Sequence, residues 1–210
     1  MQPYKTIMKR GFDEFIVQKS RFIGYGAPAE NEEGALAFLA EIRTRHKDAS
    51  HNCYAYIIGA NGGIMRYSDD GEPGGTAGLP IIETLKSAAV TNLCVVVTRY
   101  FGGILLGAGG LARAYAQGAA SALRACEVGV MHPTGQYLME VPYPLFGKLE
   151  HYLHSAPVRV EEKRFLDSVT LTLAIRMADA EGVEREIAEL FNGQLELLLA
   201  EEGYMAWREG

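Results

Sequence analysis

The sequence predicts an α+β protein of two domains, and three observations carry that prediction. Residues 136–199 run strand, helix, strand, strand, helix, strand, the order of a ferredoxin-like βαββαβ unit with its helices on one face of an antiparallel sheet. Residues 1–132 mix short β-rich runs with amphipathic segments and hold two glycine-rich stretches, which suits a second α/β domain. Between them the composition shifts over 128–135, and His132, Pro133, Thr134 and Gly135 mark a linker. The domains are therefore placed at 1–132 and 133–210.

Three strands open the first domain, over 6–8, 12–17 and 22–25, with Lys9, Arg10 and Gly11 as the hairpin turn between the first two. Asn31 is an N-cap, Glu32 and Glu33 suit the positive end of the helix dipole, and Ala35, Phe38, Leu39 and Ile42 recur at helical spacing to about Arg45. Strands over 54–58 and 64–67 straddle Asn61, Gly62 and Gly63, a hairpin turn. Pro80 stands in the first turn of a helix to about Ala89, and 93–97 is an apolar strand covered on both faces. A glycine-rich turn and a long alanine-rich helix to Cys126 close the domain.

In the second domain, strands are expected over 136–141 and 158–161, around a helix whose face carries Leu145, Leu149, Tyr152 and Leu153. Val169, Leu171, Leu173 and Ile175 alternate with polar or small residues, the mark of a half-buried strand. Asp179 is placed as cap of a helix striped with Val183, Ile187, Leu190 and Phe191, which Asn192 and Gly193 end before a last strand over 195–199.

A net charge of −6 argues against a protein that coats nucleic acid by overall charge, while leaving room for a local basic patch. Cys53, Cys94 and Cys126 are odd in number and widely spaced, so reduced, buried thiols are expected rather than disulfides or a zinc knuckle. The first residues open no signal peptide and no apolar run approaches the ~20 residues of a membrane span, so a cytoplasmic location is expected.

The densest chemical signal is residues 67–80, which pack Asp69, Asp70 and Glu72 among four glycines. Acids this close repel unless a cation, basic groups or solvent compensate, so the segment reads as a shaped loop and a site. Its structural reading is a turn in which Asp69 or Asp70 binds backbone amides and Thr76 caps the next helix. A hard cation held by the acids with Ser68 and Thr76 is the alternative, although the spacing misses the calcium-loop pattern. A second stretch, 99–113, follows the buried strand and leads into a helix, whose first N–H groups suit an anion flanked by Arg99 and Arg113. Gly107, Gly109, Gly110 and Ala112 formally fit a dinucleotide fingerprint, but no strand ends at Gly107 and no alternating βαβ run follows, so no cofactor is assigned. His51 and Cys53 share one face of a strand, and a buried thiol beside a hydrogen-bonded histidine is favoured over a nucleophile pair.

Lys19, Ser20, Arg21, Phe22; His51, Asn52, Cys53; the run from Ser68 through Pro73 with Thr76, Ala77 and Gly78; and Arg99, Tyr100, Phe101, Gly102, Gly103 with Leu106 and Gly107 together resemble the IMPACT family, in its bacterial YigZ-like branch. The likeness spans essentially the whole chain. It implies an N-terminal domain folded as a two-layer sandwich like the second domain of the fifth small-subunit ribosomal protein, and a C-terminal domain like domain V of elongation factor G. In eukaryotes the family's namesake restrains the starvation kinase that phosphorylates initiation factor 2. For a bacterial-type chain the resemblance implies contact with the translation apparatus or RNA, and no catalytic residue.

The expected function is thus a non-enzymatic, translation-associated module binding RNA, the ribosome or a ribosome-associated protein, with neither membrane nor DNA as partner. Its cleft is expected to gather Lys19, Arg21, His51, Arg66, Ser68, Asp69, Asp70, Glu72, Gly74, Thr76, Arg99, Tyr100, Gly102, Gly103 and Arg113, the bases forming a positive surface rim. No metal or cofactor is assigned. The alternative is a metal-assisted hydrolase or phosphoryl-transfer enzyme that uses Asp69, Asp70 and Glu72, with Arg99 clamping an anion.

Overall fold

The computed structural model describes residues 1–207. They pack as two units, Tyr4–Val130 and the residues from Met131 onward together with Met1–Pro3. The N-terminal unit contains β1 (Tyr4–Ile7), β2 (Gly11–Val17), β3 (Ser20–Pro28), α1 (Glu32–Arg45), β4 (His51–Ile58), β5 (Ile64–Ser68), α2 (Gly78–Ser87), β6 (Leu93–Tyr100) and α3 (Gly107–Cys126). Five strands form an antiparallel sheet in the order β2-β3-β6-β4-β5. The central strand β6 is buried from Leu93 to Arg99, which explains its unbroken apolar run.

Helices cover both faces. Cys94 and Val96 pack with Ala35, Phe38, Leu39 and Ile42 of α1, whereas Val95 and Val97 pack with Ile81, Leu85, Tyr115 and Ala119 of α2 and α3. The sandwich thereby gains a layer over the two-layer arrangement that the family resemblance implies. Asn31 caps α1 as expected, its side chain accepting from the Gly34 amide at 2.8 Å. The expected hairpin at Lys9, Arg10 and Gly11 does not form: Met8 and Lys9 donate to the carbonyls of Glu127 and Cys126, and β2 pairs with β3 instead. Gln18 and Lys19, with φ of 44° and 65°, make the two-residue turn of that pairing.

Helix α3 lies so close to the sheet that side chains would hold it off. A methyl group at Gly24 would sit 2.1 Å from the Gly118 carbonyl oxygen, and one at Gly118 would sit 2.7 Å from Val97 Cγ1. Both obstacles are core or backbone, so Gly24→Ala is expected to cost about 2 kcal/mol by overpacking, read as a lower urea midpoint.

The C-terminal unit is built from β7 (Val128–Val141), α4 (Tyr143–Leu153), β8 (Val158–Phe165), β9 (Val169–Arg176), α5 (Ala180–Leu190) and β10 (Leu198–Ala206). Its strands run β10-β7-β9-β8, all antiparallel, over a core of Met139, Leu149, Leu171, Leu173, Val183 and Ile187. Three expectations shift here. The linker placed at 128–135 is the first part of β7, paired in large part with β10. The last strand begins at Leu198, because Leu195 and Leu197 turn into the core beforehand. Asp179 does not cap α5 through its side chain, which instead takes Arg176 Nε at 2.6 Å. All three cysteines are free and buried. Among the described residues, no helix is long and apolar enough to cross a membrane.

Candidate functional site

Three adjacent strands bring the N-terminal motifs together. Phe22 on β3 and His51 on β4 both lie opposite Arg99 on β6, and alternation puts all three, with Ser20, on the face that packs α2 and α3. The acidic loop leaves β5 and folds back over this end of the sheet. Asp69 is its organiser, accepting from the amides of Gly75 at 2.9 Å, Ala77 at 3.0 Å and Gly78 at 2.8 Å. It therefore caps α2, the role assigned to Thr76, whose hydroxyl donates to the Pro73 carbonyl instead. Burial pushes the Asp69 carboxyl up, but the amides of Gly75, Gly78 and Ala77 together outweigh it and hold it below its ordinary range.

Asp70 turns the other way, taking the Asn52 amide at 2.7 Å and Arg43 Nη2 at 2.6 Å. Ser68 Oγ accepts from the Asp70 amide. Glu72 points inward. Its Oε1 accepts from Arg99 Nη1 and from the Tyr115 hydroxyl, each at 2.7 Å. The three acids thus face three different sets of partners, and among the described residues no group of His, Cys, Asp and Glu converges as a metal set. The cation cage considered for this loop is not what the geometry builds.

Arg99 also departs from expectation. It is 5% exposed rather than a surface base. Its guanidinium lies between the rings of Phe22 and Phe101, 5.5 and 5.4 Å from their centroids, and Nη2 donates to Ser20 Oγ at 3.3 Å. Opposite it, Glu72 is 7% exposed, so the pair is a buried strut between loop and sheet. Burial drives the Tyr115 hydroxyl's pKa far up, keeping it a neutral donor to Glu72. Burial likewise pushes the Cys53 thiol up to about 12, and its Sγ donates to the Asp69 carbonyl at 3.0 Å. That thiol is structural, not nucleophilic.

His51 Nδ1 sits 2.8 Å from the Asp70 carbonyl, an acceptor, so Nδ1 carries a proton and in the neutral ring Nε2 is the acceptor. Nε2 lies 3.9 Å from Glu72 Oε2. Both residues line a cleft of about 470 Å³, with Arg99, Phe101, Leu105 and Leu111 among its other walls. Gly107 and Ala108, the first turn of α3, complete the lining. Among the described residues no side chain caps α3, so its first amides and the positive end of its dipole open beside an apolar wall. Phe101 is 49% and Leu105 84% exposed, an apolar surface at the mouth.

Of the residues singled out in the sequence, His51, Glu72 and Arg99 line the cleft. Ser68, Asp69, Asp70 and Thr76 shape the loop behind it, and Gly74 faces open space. Lys19 is exposed, its backbone against Gly102, and Arg113 is exposed with Nη1 reaching back to Gly109. Neither base is part of the cleft lining, and Gly103 lets the loop turn with φ of 81°. Arg21 and Tyr100 sit together on the opposite sheet face, Arg21 paired with Glu14, and Arg66 projects from the edge strand β5. Those three stand apart from the cleft. Sequence reasoning missed Tyr115 and Ser20 as members of the network; the spacing of Val95, Val97 and Arg99 was the available signal that Arg99 faces the core.

Fold and site define a class: two-unit α+β proteins whose N-terminal unit closes an acidic and a glycine-rich segment around one cleft. Residues 18–123 match the Impact N-terminal domain, and 139–194 match a domain of unknown function, DUF1949. The chain is 35% identical over 207 residues to the IMPACT family member YvyE of Bacillus subtilis, covering 98% of this chain and 94% of that one. It is 36% identical over 188 residues to the IMPACT family member YigZ of Escherichia coli, covering 89% and 92%. A crystal structure described as that of a hypothetical protein superposes with a TM-score of 0.62 at 33% identity, covering 96% of this chain and 98% of the other. The chain belongs to the IMPACT family.

Proposed function

We propose that this chain is a non-enzymatic, translation-associated binding module of the cytoplasm that takes RNA at its N-terminal cleft. The observation that carries the reading is the uncapped start of α3, which opens into an apolar cleft beside Phe101, with exposed bases on neighbouring segments, Lys19 in the turn before β3 and Arg113 on α3. Helix N-termini attract phosphate, exposed aromatic rings stack bases, and flanking bases add charge. Arg99 is neutralised by Glu72, so the charge available to a ligand comes from the rim and the helix. Ribosome contact follows from the RNA component. Nothing in the site supplies an activated nucleophile, since the Cys53 thiol is pushed up to about 12.

The test is binding of purified ribosomes and of a short single-stranded RNA over a salt series. Lys19→Glu and Arg113→Glu, both at exposed positions, are expected to weaken binding at least tenfold together at low salt and to flatten the log–log salt slope by about one per lost phosphate contact. Unchanged affinity and slope in the double variant would overturn the reading.

A further inference from the structure

We infer that the cleft recognises the 2′,3′ cis-diol of a ribonucleoside, through Glu72 Oε2 and His51 Nε2. The inference rests on the RNA reading above and deepens it. Oε1 of Glu72 is filled by Arg99 and Tyr115, whereas no hydrogen bond among the described residues reaches Oε2. The Asp70 carbonyl holds the His51 Nδ1 proton, so in the neutral ring Nε2 is an acceptor. Two acceptors 3.9 Å apart on a cleft wall call for two donors side by side. Oε2 opens to the cleft, so a ligand that covers it without supplying a donor loses free energy, which makes this pair selective rather than permissive.

The neighbouring hydroxyls of a ribose answer that arrangement, each donating one proton, one to Oε2 and one to Nε2. A carboxylate on a ribose hydroxyl is also a well-attested way to tell ribose from deoxyribose. The rest of the cleft fits the same ligand. Its volume of about 470 Å³ is in the range for one nucleoside-sized ligand, Phe101 offers a ring for the base, and α3 offers amides for the phosphate. Ser20 and Phe22 behind Arg99 keep Glu72 from turning away, because the strut holds Oε1 in place. Either an RNA 3′ end or a free ribonucleotide carries this diol.

The experiment compares four probes by fluorescence anisotropy or calorimetry: an RNA hexamer with an intact 3′ diol, the same hexamer ending in a 2′,3′-dideoxynucleotide, AMP and dideoxy-AMP. The intact hexamer is expected to bind at least tenfold more tightly than the dideoxy-ended one. In His51→Asn, where the shorter amide reproduces Nδ1 and lacks Nε2, the ratio of the two hexamer affinities is expected to fall from at least tenfold to near one, whatever the change in overall affinity. Thermal melting of the variant verifies that it is folded. Equal binding of both hexamers by the wild-type protein overturns the diol inference and leaves the RNA reading standing. Failure of both hexamers alongside AMP preferred over dideoxy-AMP supports the diol with a free nucleotide as its source and overturns the RNA reading. Failure of all four probes overturns both.

Discussion

Arg99→Ala is expected to lower the free energy of unfolding by about 3–5 kcal/mol, the range for removing one partner of a buried ion pair. The Arg99 and Glu72 side chains are 7% and 3% exposed, so water cannot replace the lost guanidinium without opening the loop. Glu72 would keep the Tyr115 hydroxyl but face the core as an uncompensated carboxylate. The rings of Phe22 and Phe101 would also lose the group between them, adding a packing loss. Urea denaturation measures the effect. Arg99→Met with Glu72→Gln is the informative companion: it removes both charges at similar volume and is expected to recover much of the loss, because a buried pair costs desolvation that apolar replacements avoid. A loss under about 1 kcal/mol in the single variant, the value of an exposed pair, would show that the strut is open to solvent. Charge reversal at Arg99 therefore reports on folding, and the exposed Lys19 and Arg113 are the positions at which the proposed RNA binding is tested.

The parts of this molecule that local pattern specifies were readable, and those that distant partners specify were not. Alternation over Val169, Leu171, Leu173 and Ile175 and the spacing of Val183 and Ile187 gave the ferredoxin-like unit, because each pattern reports directly which face is buried. The start of β7 was hidden because Pro133 and Gly135 are turn residues, and only pairing with Tyr204 and Glu202, some seventy positions away, makes them strand. The same division runs through the site. Acids among glycines announced a shaped loop, but which acid does what depends on partners the loop does not contain. Asp69 finds amides within the loop and α2, Asp70 finds Arg43 on α1, and Glu72 finds Tyr115 on α3. Arg99 was mistaken for a surface base because arginine is seldom fully buried, and the strand parity that places it with Val97 was outweighed by the glycines that follow.

Those separate assignments give each acid of the loop its own protein partners, and they make Asp69 the second position where a single change has a large effect. Asp69→Ala is expected to cost about 3 kcal/mol, since three amides lose a charged acceptor and the start of α2 loses its cap. Asp69→Asn keeps the size and one neutral acceptor oxygen, so a smaller loss is expected. The pH dependence separates charge from shape. The folded protein holds the Asp69 carboxyl below its ordinary value, so its charge contributes stability that is fully present above the unfolded value of about 4 and is lost as pH falls through the folded value. The gap in unfolding free energy between wild type and Asp69→Asn should accordingly be constant from about pH 7 to 5 and narrow below about pH 4. Chemical denaturation at each pH measures it. A gap that stays constant into acid would mean that the amides are held by the shape of the side chain alone, and the loop's order would then have to come from Asp70 and Glu72. The same variants report on the cleft: Gly71, Glu72 and Pro73 line it, so a loop loosened at Asp69 should weaken ligand binding even though Asp69 itself is not part of the lining.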